Sequence, residues 1–340
     1  MKNSQKRQSI LFIYSHLSSF VKADFDILST EYIVDKYQFK AKPGVFSVIY
    51  HLIKQFLFLS TQIRKYDIIF IWFADYHSLL PVFFTKALKK KSFIVNGGYD
   101  VARIKKINYG IFCSRIRGFF AIYSMKNCSA NLPVSKYVER KVKYIAPKSA
   151  RHLIYNCMNL NDGDITNSVK ENMVLTVAIV DDERTFLLKG LNTFIETAFL
   201  LPGYKFVIVG LKKSVVNHLI KVLPENLVIY GKMPHQELVT FYQKARIYCQ
   251  FSLTESFGVS IAEAMFYNCI PVITNEGAMP EVIGDYGLIV KRDPIKIAAS
   301  IKEMIIGAPV DNQGFMKNYI INHFSPSIRK EKLLAVINNG

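Results

Sequence analysis

The sequence predicts an α/β protein built on parallel sheets, divided into two domains. Three observations carry this. Apolar runs such as residues 67–73, with Ile68, Ile69, Phe70 and Ile71 consecutive, suit strands covered on both faces, as in parallel sheets. Residues 245–290 read as strand (247–251), polar turn (252–258), helix (259–267) and strand (270–274), which is a βαβ unit. A chain of 340 residues favours two domains. Residues 159–167 are rich in Asn, Asp and Gly without apolar periodicity, a linker signal. The domains therefore fall at residues 1–165 and 166–318, with a terminal helical segment at 319–340.

Taken in order, residues 9–14 form a first buried strand and 15–26 a polar loop and helix start containing Ser18 and Ser19. Residues 32–37 form a second strand. Residues 45–66 form a long apolar helix, either a core helix or one that faces a membrane. A helix at 79–88 ends in Lys89–Lys91, where cations suit a helix C-terminus. The strand at 93–96 runs into Gly97, Gly98, Tyr99 and Asp100. Paired glycines there let backbone approach a ligand. Asp100 either projects from the sheet edge or caps the next short helix. Residues 105–126 interleave Lys105, Lys106, Arg115, Arg117 and Lys126 with Tyr109, Phe112, Phe119, Phe120 and Tyr123. Such a stretch suits an anionic bilayer boundary, single-stranded nucleic acid or an ordinary helix with a basic outer face. A strand at 130–135, a helix at 136–143 and a short extended segment at 154–156 close the first half.

The second half opens with a strand at 174–180, followed by Arg184 and Lys189 before a helix at 191–201. Strands at 205–210 and 227–230 and helices at 215–223 and 235–244 lead to the βαβ unit. A strand at 284–290 and helices at 294–306, 314–323 and 325–338 complete the chain.

Charge is uneven. Residues 1–170 carry 27 Lys and Arg against 10 Asp and Glu, while residues 171–340 carry 17 against 16. A basic first domain suits an acidic partner, membrane or nucleic acid. No apolar stretch is long enough to predict a membrane span. The five cysteines are scattered, without C-x-x-C, which points to a reduced compartment. No zinc motif is present, nor a G-x-G-x-x-G, P-loop or G-x-S-x-G sequence. These absences argue against dinucleotide oxidoreductases, P-loop NTPases and nucleophile-elbow hydrolases.

The strongest chemical signal lies in the βαβ unit. Glu255 sits in the turn and Glu263 in the helix, with Ser256, Phe257, Gly258 and Val259 at the helix start. Backbone N–H groups at such an end bind anions. Two acids beside an anion-binding helix end suit a ligand with a phosphate at one point and hydroxyls at others. Arg184 and Lys189, at the end of the first strand of the same domain, supply cations for a diphosphate. Each feature also has a plain structural reading: acids near a helix start stabilise its dipole, and the cations lie beside Asp181, Asp182 and Glu183.

Glu255-x7-Glu263, followed by Pro271 and by Gly277 to Glu281, resembles the signature of retaining GT-B glycosyltransferases of family 4. Arg184-x4-Lys189 resembles that family's phosphate-binding pair, and Gly97–Asp100 a GG-x-D segment found in part of it. Where many members carry a Gly-Gly loop, this chain has Ser18 and Ser19, a departure from the pattern. The resemblance implies a GT-B fold, two Rossmann-like domains with parallel sheets facing across a cleft, the last helix often packing back on the first domain. It implies transfer of a sugar from a UDP- or GDP-sugar, with retention, to a glycan or lipid-linked acceptor, as in bacterial surface polysaccharide or lipopolysaccharide synthesis. Arg184, Lys189 and Glu255 would be catalytic. Glu263, Ser256, Phe257, Gly258, Val259 and the loop at Met233 would bind the donor. Gly97, Gly98, Asp100, Ser18 and Ser19 would border the acceptor or cleft.

No metal or other cofactor is expected, since two cations serve the diphosphate and no DxD motif is suitably placed. Without a predicted span, the chain reads as cytoplasmic, at the inner face of the plasma membrane, with a peripheral contact to anionic lipid and no nucleic acid partner. The alternatives are a GT-B sugar-nucleotide epimerase and a non-catalytic basic nucleic-acid-binding protein.

Overall fold

The computed structural model describes residues 7–42, 44–158, 169–307 and 313–339. The linker expected at 159–167, and with it the domain boundary at 165/166, lies outside the described residues. The chain divides into two compact units, one of residues 1–157 with 326–340 and one of residues 158–325.

The first unit alternates strand and helix: β1 (Ser9–Tyr14), α1 (Ser19–Ser29), β2 (Ile33–Gln38), α2 (Val45–Gln62), β3 (Ile68–Trp72), α3 (Tyr76–Ala87), β4 (Lys91–Asn96), α4 (Arg115–Asn127), β5 (Ala130–Pro133) and α5 (Lys136–Ile145). The strands form one parallel sheet in the order β2-β1-β3-β4-β5. Ile10 to Ile13 and Ile69 to Trp72 are wholly buried. Their uninterrupted apolarity answers to helices on both faces. Parallel strands are joined by right-handed crossovers. The step from β1 to β2 runs opposite to the later steps, which puts α1 on one face and α2, α3 and α4 on the other. The contacts agree: α2 packs on α3 and α3 on α4.

Local chemistry fixes the helix starts. Asp75 closes a capping box on α3, accepting from Tyr76 N at 2.7 Å, while Ser78 Oγ accepts from Asp75 N at 3.1 Å. Ser114 and Ser135 cap α4 and α5. The helix expected over 45–66 ends at Gln62 and tightens into a 3₁₀ turn, Ile63–Lys65. α2 packs one side on the core, through buried Gln55 and Leu59 with Phe58 against the same cluster, while Val45, Phe46, Ile49, Tyr50, Ile53, Phe56 and Leu57 stay exposed. The extended segment at 154–156 forms no strand; a single bridge joins Arg151 to Asn131.

The second unit contains β6 (Glu171–Val180), α6 (Glu183–Lys189), α7 (Leu191–Phe199), β7 (Lys205–Leu211), α8 (Lys213–Leu219), β8 (Leu227–Tyr230), α9 (His235–Lys244), β9 (Ala245–Gln250), α10 (Val259–Phe266), β10 (Ile270–Thr274), α11 (Met279–Ile283), β11 (Leu288–Val290), α12 (Pro294–Gly307) and α13 (Gln313–Phe324). Its six strands are again all parallel, in the order β11-β10-β9-β6-β7-β8. The chain leaves β6 in one direction and resumes at β9 on its other side. The C-terminal ends of β6 and β9 therefore flank the topological switch point, where open α/β sheets bind ligands.

The last helix, α14 (Pro326–Asn339), belongs to the first unit and packs on α1. Its Arg329 is buried and forks onto Asp24, Nε to Oδ1 at 2.5 Å and Nη2 to Oδ2 at 2.7 Å. The same guanidinium donates to the carbonyls of Ile154 and Tyr155. Among the described residues no helix is long and apolar enough to cross a membrane.

Candidate active site

Two segments of the second unit meet at its switch point. After β6, Asp182 caps α6, its Oδ1 accepting from Thr185 N at 2.7 Å. The seven-residue helix ends at Gly190, whose φ of +67° suits glycine. A Cβ there would lie 2.1 Å from the carbonyl oxygen of Phe251. Glycine thus allows the end of α6 to touch the end of β9, and Leu253 N donates to Leu188 O at 2.8 Å. This contact carries Lys189 to Glu255: Nζ to Oε2 is 2.8 Å, with side chains 25% and 17% exposed.

The Glu255 loop is held from several sides. Gln250, the last residue of β9, donates from Nε2 to Glu255 Oε2 at 2.7 Å. Its Oε1 accepts from Ser260 at 3.2 Å and from Tyr248 at 3.0 Å. Arg292 Nη2 donates to Ser252 O at 2.8 Å. Ala278 N donates to Glu255 O at 2.8 Å, and Gly277, with φ of +66°, lies flat against the same residue. The Gly277–Glu281 segment of the motif therefore clamps the Glu255 backbone.

Glu263, one helical turn beyond Ser260, is buried, and each of its oxygens holds one partner. Tyr242 OH donates to Oε2 at 3.0 Å, and His235 Nε2 lies 3.1 Å from Oε1. The Glu263 hydrogen bond holds the His235 pKa above its ordinary value, against the opposing effect of burial. Burial drives the Tyr242 phenol well up, so it stays a donor. The rings of Tyr242 and Tyr248 are 6.2 Å apart. They link the Glu263 cluster to the Tyr248–Gln250–Glu255–Lys189 chain.

The structure thus joins Lys189 directly to Glu255 and sets Glu263 in the same network. Arg184 does not share it. Both cations precede α7 as expected, but they lie on a short helix of their own, α6, and five residues turn a helix through about 500°. Arg184 is half-exposed and its Nη2 is 3.6 Å from Asp182. Gly258 caps α10 with φ of +100°, a backbone shape open to glycine. Val259 begins α10 and Ser256 is half-buried. Phe257 is buried, its ring edge-on to Phe324 at 5.1 Å, so packing occupies its side chain. Met233 lies half-buried in the loop before α9.

The first-unit candidates divide. Asp100 is wholly buried, accepting from Ala74 N at 3.1 Å, Gly98 N at 2.9 Å and Asn96 Nδ2 at 3.2 Å. A carboxylate projecting from the sheet edge is therefore corrected: Asp100 braces the ends of β3 and β4 from inside. Burial pushes its pKa up to about 6, against those hydrogen bonds. A Cβ on Gly97 would lie 2.2 Å from the Phe73 ring, and Gly98 takes φ of +105°. Ser18 precedes α1 with its Oγ buried and without a partner, and Ser19 begins the helix.

Gln250, Tyr248, Ser260, Tyr242 and His235 were not marked as functional by sequence. Gln250 carried one signal, a polar residue ending an apolar strand. Among the described residues no three His, Cys, Asp or Glu side chains gather to hold a metal.

Two parallel-sheet α/β units define the class: the fold is GT-B, an architecture of glycosyltransferases. Sucrose-phosphate synthase from Thermosynechococcus elongatus superposes with a TM-score of 0.75 at 14% identity, covering 98% of this chain and 99% of that one. More particularly, residues 165–317 match the family model Glycosyl transferases group 1. A phosphatidylinositol N-acetylglucosaminyltransferase component of Arabidopsis thaliana is 26% identical over 43% of this chain and 34% of its own length. O-antigen chain mannosyltransferase B of Escherichia coli is 31% identical over 31% of this chain and 27% of its own length. The chain spans about a third or less of these curated relatives.

Proposed function

We propose that the protein is a retaining, metal-independent hexosyltransferase of family 4. It would move a sugar from a UDP- or GDP-sugar to a glycan or lipid-linked acceptor in bacterial surface polysaccharide or lipopolysaccharide synthesis. The observation that carries this reading is the cluster at the second unit's switch point, Lys189 on Glu255 with Glu263 in the same network. The relatives named above, one acting on a phosphoinositide and one on O-antigen chains by their names, favour a lipid-linked or polysaccharide acceptor.

In this reading the donor binds at the ends of β6 and β9. Lys189 and Arg184 neutralise charge that grows on the diphosphate as the glycosidic bond breaks. Arg184, exposed on the first turn of α6, exchanges Asp182 for phosphate. Glu255 orients sugar hydroxyls, with the N–H groups of Ser256, Phe257, Gly258 and Val259 beside it. Glu263, fixed by Tyr242 and His235, accepts from the ribose diol, and the Met233 loop lies against the base. No side chain is assigned as a covalent nucleophile; the leaving phosphate takes the acceptor's proton. No cofactor takes part. The first unit meets the acceptor at the inner face of the plasma membrane.

The test is a thermal-shift screen of UDP- and GDP-sugars, then NMR of the anomeric proton in the product. A stabilising donor and retained configuration are expected. Absence of any stabilising sugar nucleotide would overturn the reading, and an altered donor formed without acceptor would replace it with epimerisation.

A further inference from the structure

The outer surface of α2, α3 and α4 carries an apolar face that the transfer chemistry does not use. On α2, Val45, Phe46, Ile49, Tyr50, Ile53, Phe56 and Leu57 are all exposed, Phe46 at 90%. At about 100° per residue these seven fall within an arc of about 140°, opposite the buried Gln55 and Leu59. The face continues sideways. Phe56 contacts Phe84 of α3 at 5.6 Å, and Phe84 contacts the exposed Phe83 at 5.8 Å. Tyr76 of α3 contacts Phe120 of α4, beside the exposed Phe119 and near Ile116.

Charge decides what covers this face. None of α2, α3 or α4 contains an Asp or Glu. Over residues 36–138 the acids are Asp67, Asp75 and Asp100, and none is free. Asp67 accepts from Ser9 N at 2.8 Å, Asp75 is forked by Arg117, and Asp100 is buried. Exposed cations surround the apolar side chains: Lys40 and Lys42 ahead of α2, Lys54 at the margin of its arc, Lys86 on α3 and Arg115 on α4. A second copy docked here by two-fold symmetry would oppose cation to cation with no carboxylate between them. The exposed rings of Phe46, Tyr50 and Phe56 alternate on α2 with aliphatic Val45, Ile49, Ile53 and Leu57. The aliphatic side chains give bases no stacking plane but enter an acyl boundary as readily as the rings do, and this mixture favours lipid.

We infer that the α2–α3–α4 face is the surface by which this protein docks on an anionic lipid bilayer. Phe46, Ile49 and Ile53 enter the acyl boundary, and Lys40, Lys42, Lys54 and Arg115 lie among the headgroups. This deepens the membrane part of the function proposed above and rests on it, independently of the sugar chemistry.

The test uses the full chain and vesicles of phosphatidylglycerol or phosphatidylcholine. Wild type sediments with the former, less so as salt rises. Phe46→Ser/Ile53→Ser removes two exposed side chains, leaving the melting temperature and sugar-nucleotide binding unchanged. It weakens vesicle binding about tenfold or more. Lys40→Gln and Lys54→Gln each weaken it about fivefold. In Phe46→Trp, a variant with no loss of apolar area, brominated lipid quenches the new indole, whereas the native Trp72 is buried. Serine variants that bind like wild type, or an unquenched indole, would overturn this surface while leaving membrane binding by another. Wild type that ignores phosphatidylglycerol would overturn both, as would a preference of the same face for single-stranded RNA or for a second copy.

Discussion

Replacing Lys189 by alanine tests the chemistry assigned to α6. The side chain is a quarter exposed and ends 2.8 Å from Glu255 Oε2, which also accepts from Gln250 at 2.7 Å. Exposed ion pairs contribute about 0–1 kcal/mol, and breaking a buried pair costs about 3–5 kcal/mol. With Glu255 17% exposed and still held by Gln250, the discounted stability cost is about 1–2 kcal/mol. For a unit of this size that lowers the melting temperature by about 2–8 °C. The rate effect is distinct. A fixed cation aimed at charge developing on the leaving group is worth about 3–4 kcal/mol, or about 10²–10³ in kcat. Both are measured on one preparation, melting by calorimetry and turnover at saturating donor. Glu255→Gln and the double variant complete the cycle. If Lys189 only neutralises Glu255, the double variant regains stability and turns over no worse than Glu255→Gln alone. A Lys189→Ala enzyme with kcat within about threefold of wild type would refute the leaving-group assignment.

The other predictions concern the supports of the site and of the first unit. His235 has a folded pKa above its ordinary 6.5 because of Glu263. Its stabilisation is therefore fully present below that ordinary value and lost as pH rises through the folded one. The melting difference between wild type and His235→Gln should be larger near about pH 6 than near about pH 9; an equal difference would count against the pair. Gly277→Ala would put a Cβ 2.1 Å from Glu255 O at a φ of +66°. Displacing Glu255 by about 1 Å should lower kcat by about 10²-fold, and unchanged turnover would show that the clamp is dispensable. Arg329→Met leaves Asp24 buried without its fork and removes the Arg329 donor from the carbonyls of Ile154 and Tyr155. Denaturant unfolding should show a loss of about 3–5 kcal/mol, and an unchanged midpoint would remove α14 as a brace.

What sequence revealed and what it hid follow from range. The strands were legible because a parallel sheet covered on both faces needs unbroken apolar runs, as at Ile68–Trp72. Glu255 and Glu263 were legible because their spacing lies within one βαβ unit. The start of α7 at Leu191 was legible, but the short helix α6 before it was not, since Gly190 sets its end against Phe251, sixty-one residues away along the chain. For the same reason Arg184 and Lys189 read as one pair, whereas α6 turns them apart. Tyr242 and His235 meet Glu263 across 21 and 28 residues, a separation that no local pattern encodes. Asp100 was ambiguous because a GG-x-D turn permits either orientation, and one of the donors that hold it inward, Ala74 N–H, comes from twenty-six residues away. The apolarity of α2 was plain, but which side of it packs depends on an edge position that the sheet order sets.

The most direct measurement is calorimetric titration of the UDP- or GDP-sugar that stabilises the protein into wild type and Glu263→Ala. Saturable one-to-one binding to wild type, lost or weakened by about tenfold or more in the variant, is the predicted result. Equal affinity for both proteins would contradict a donor seated at the ends of β6 and β9.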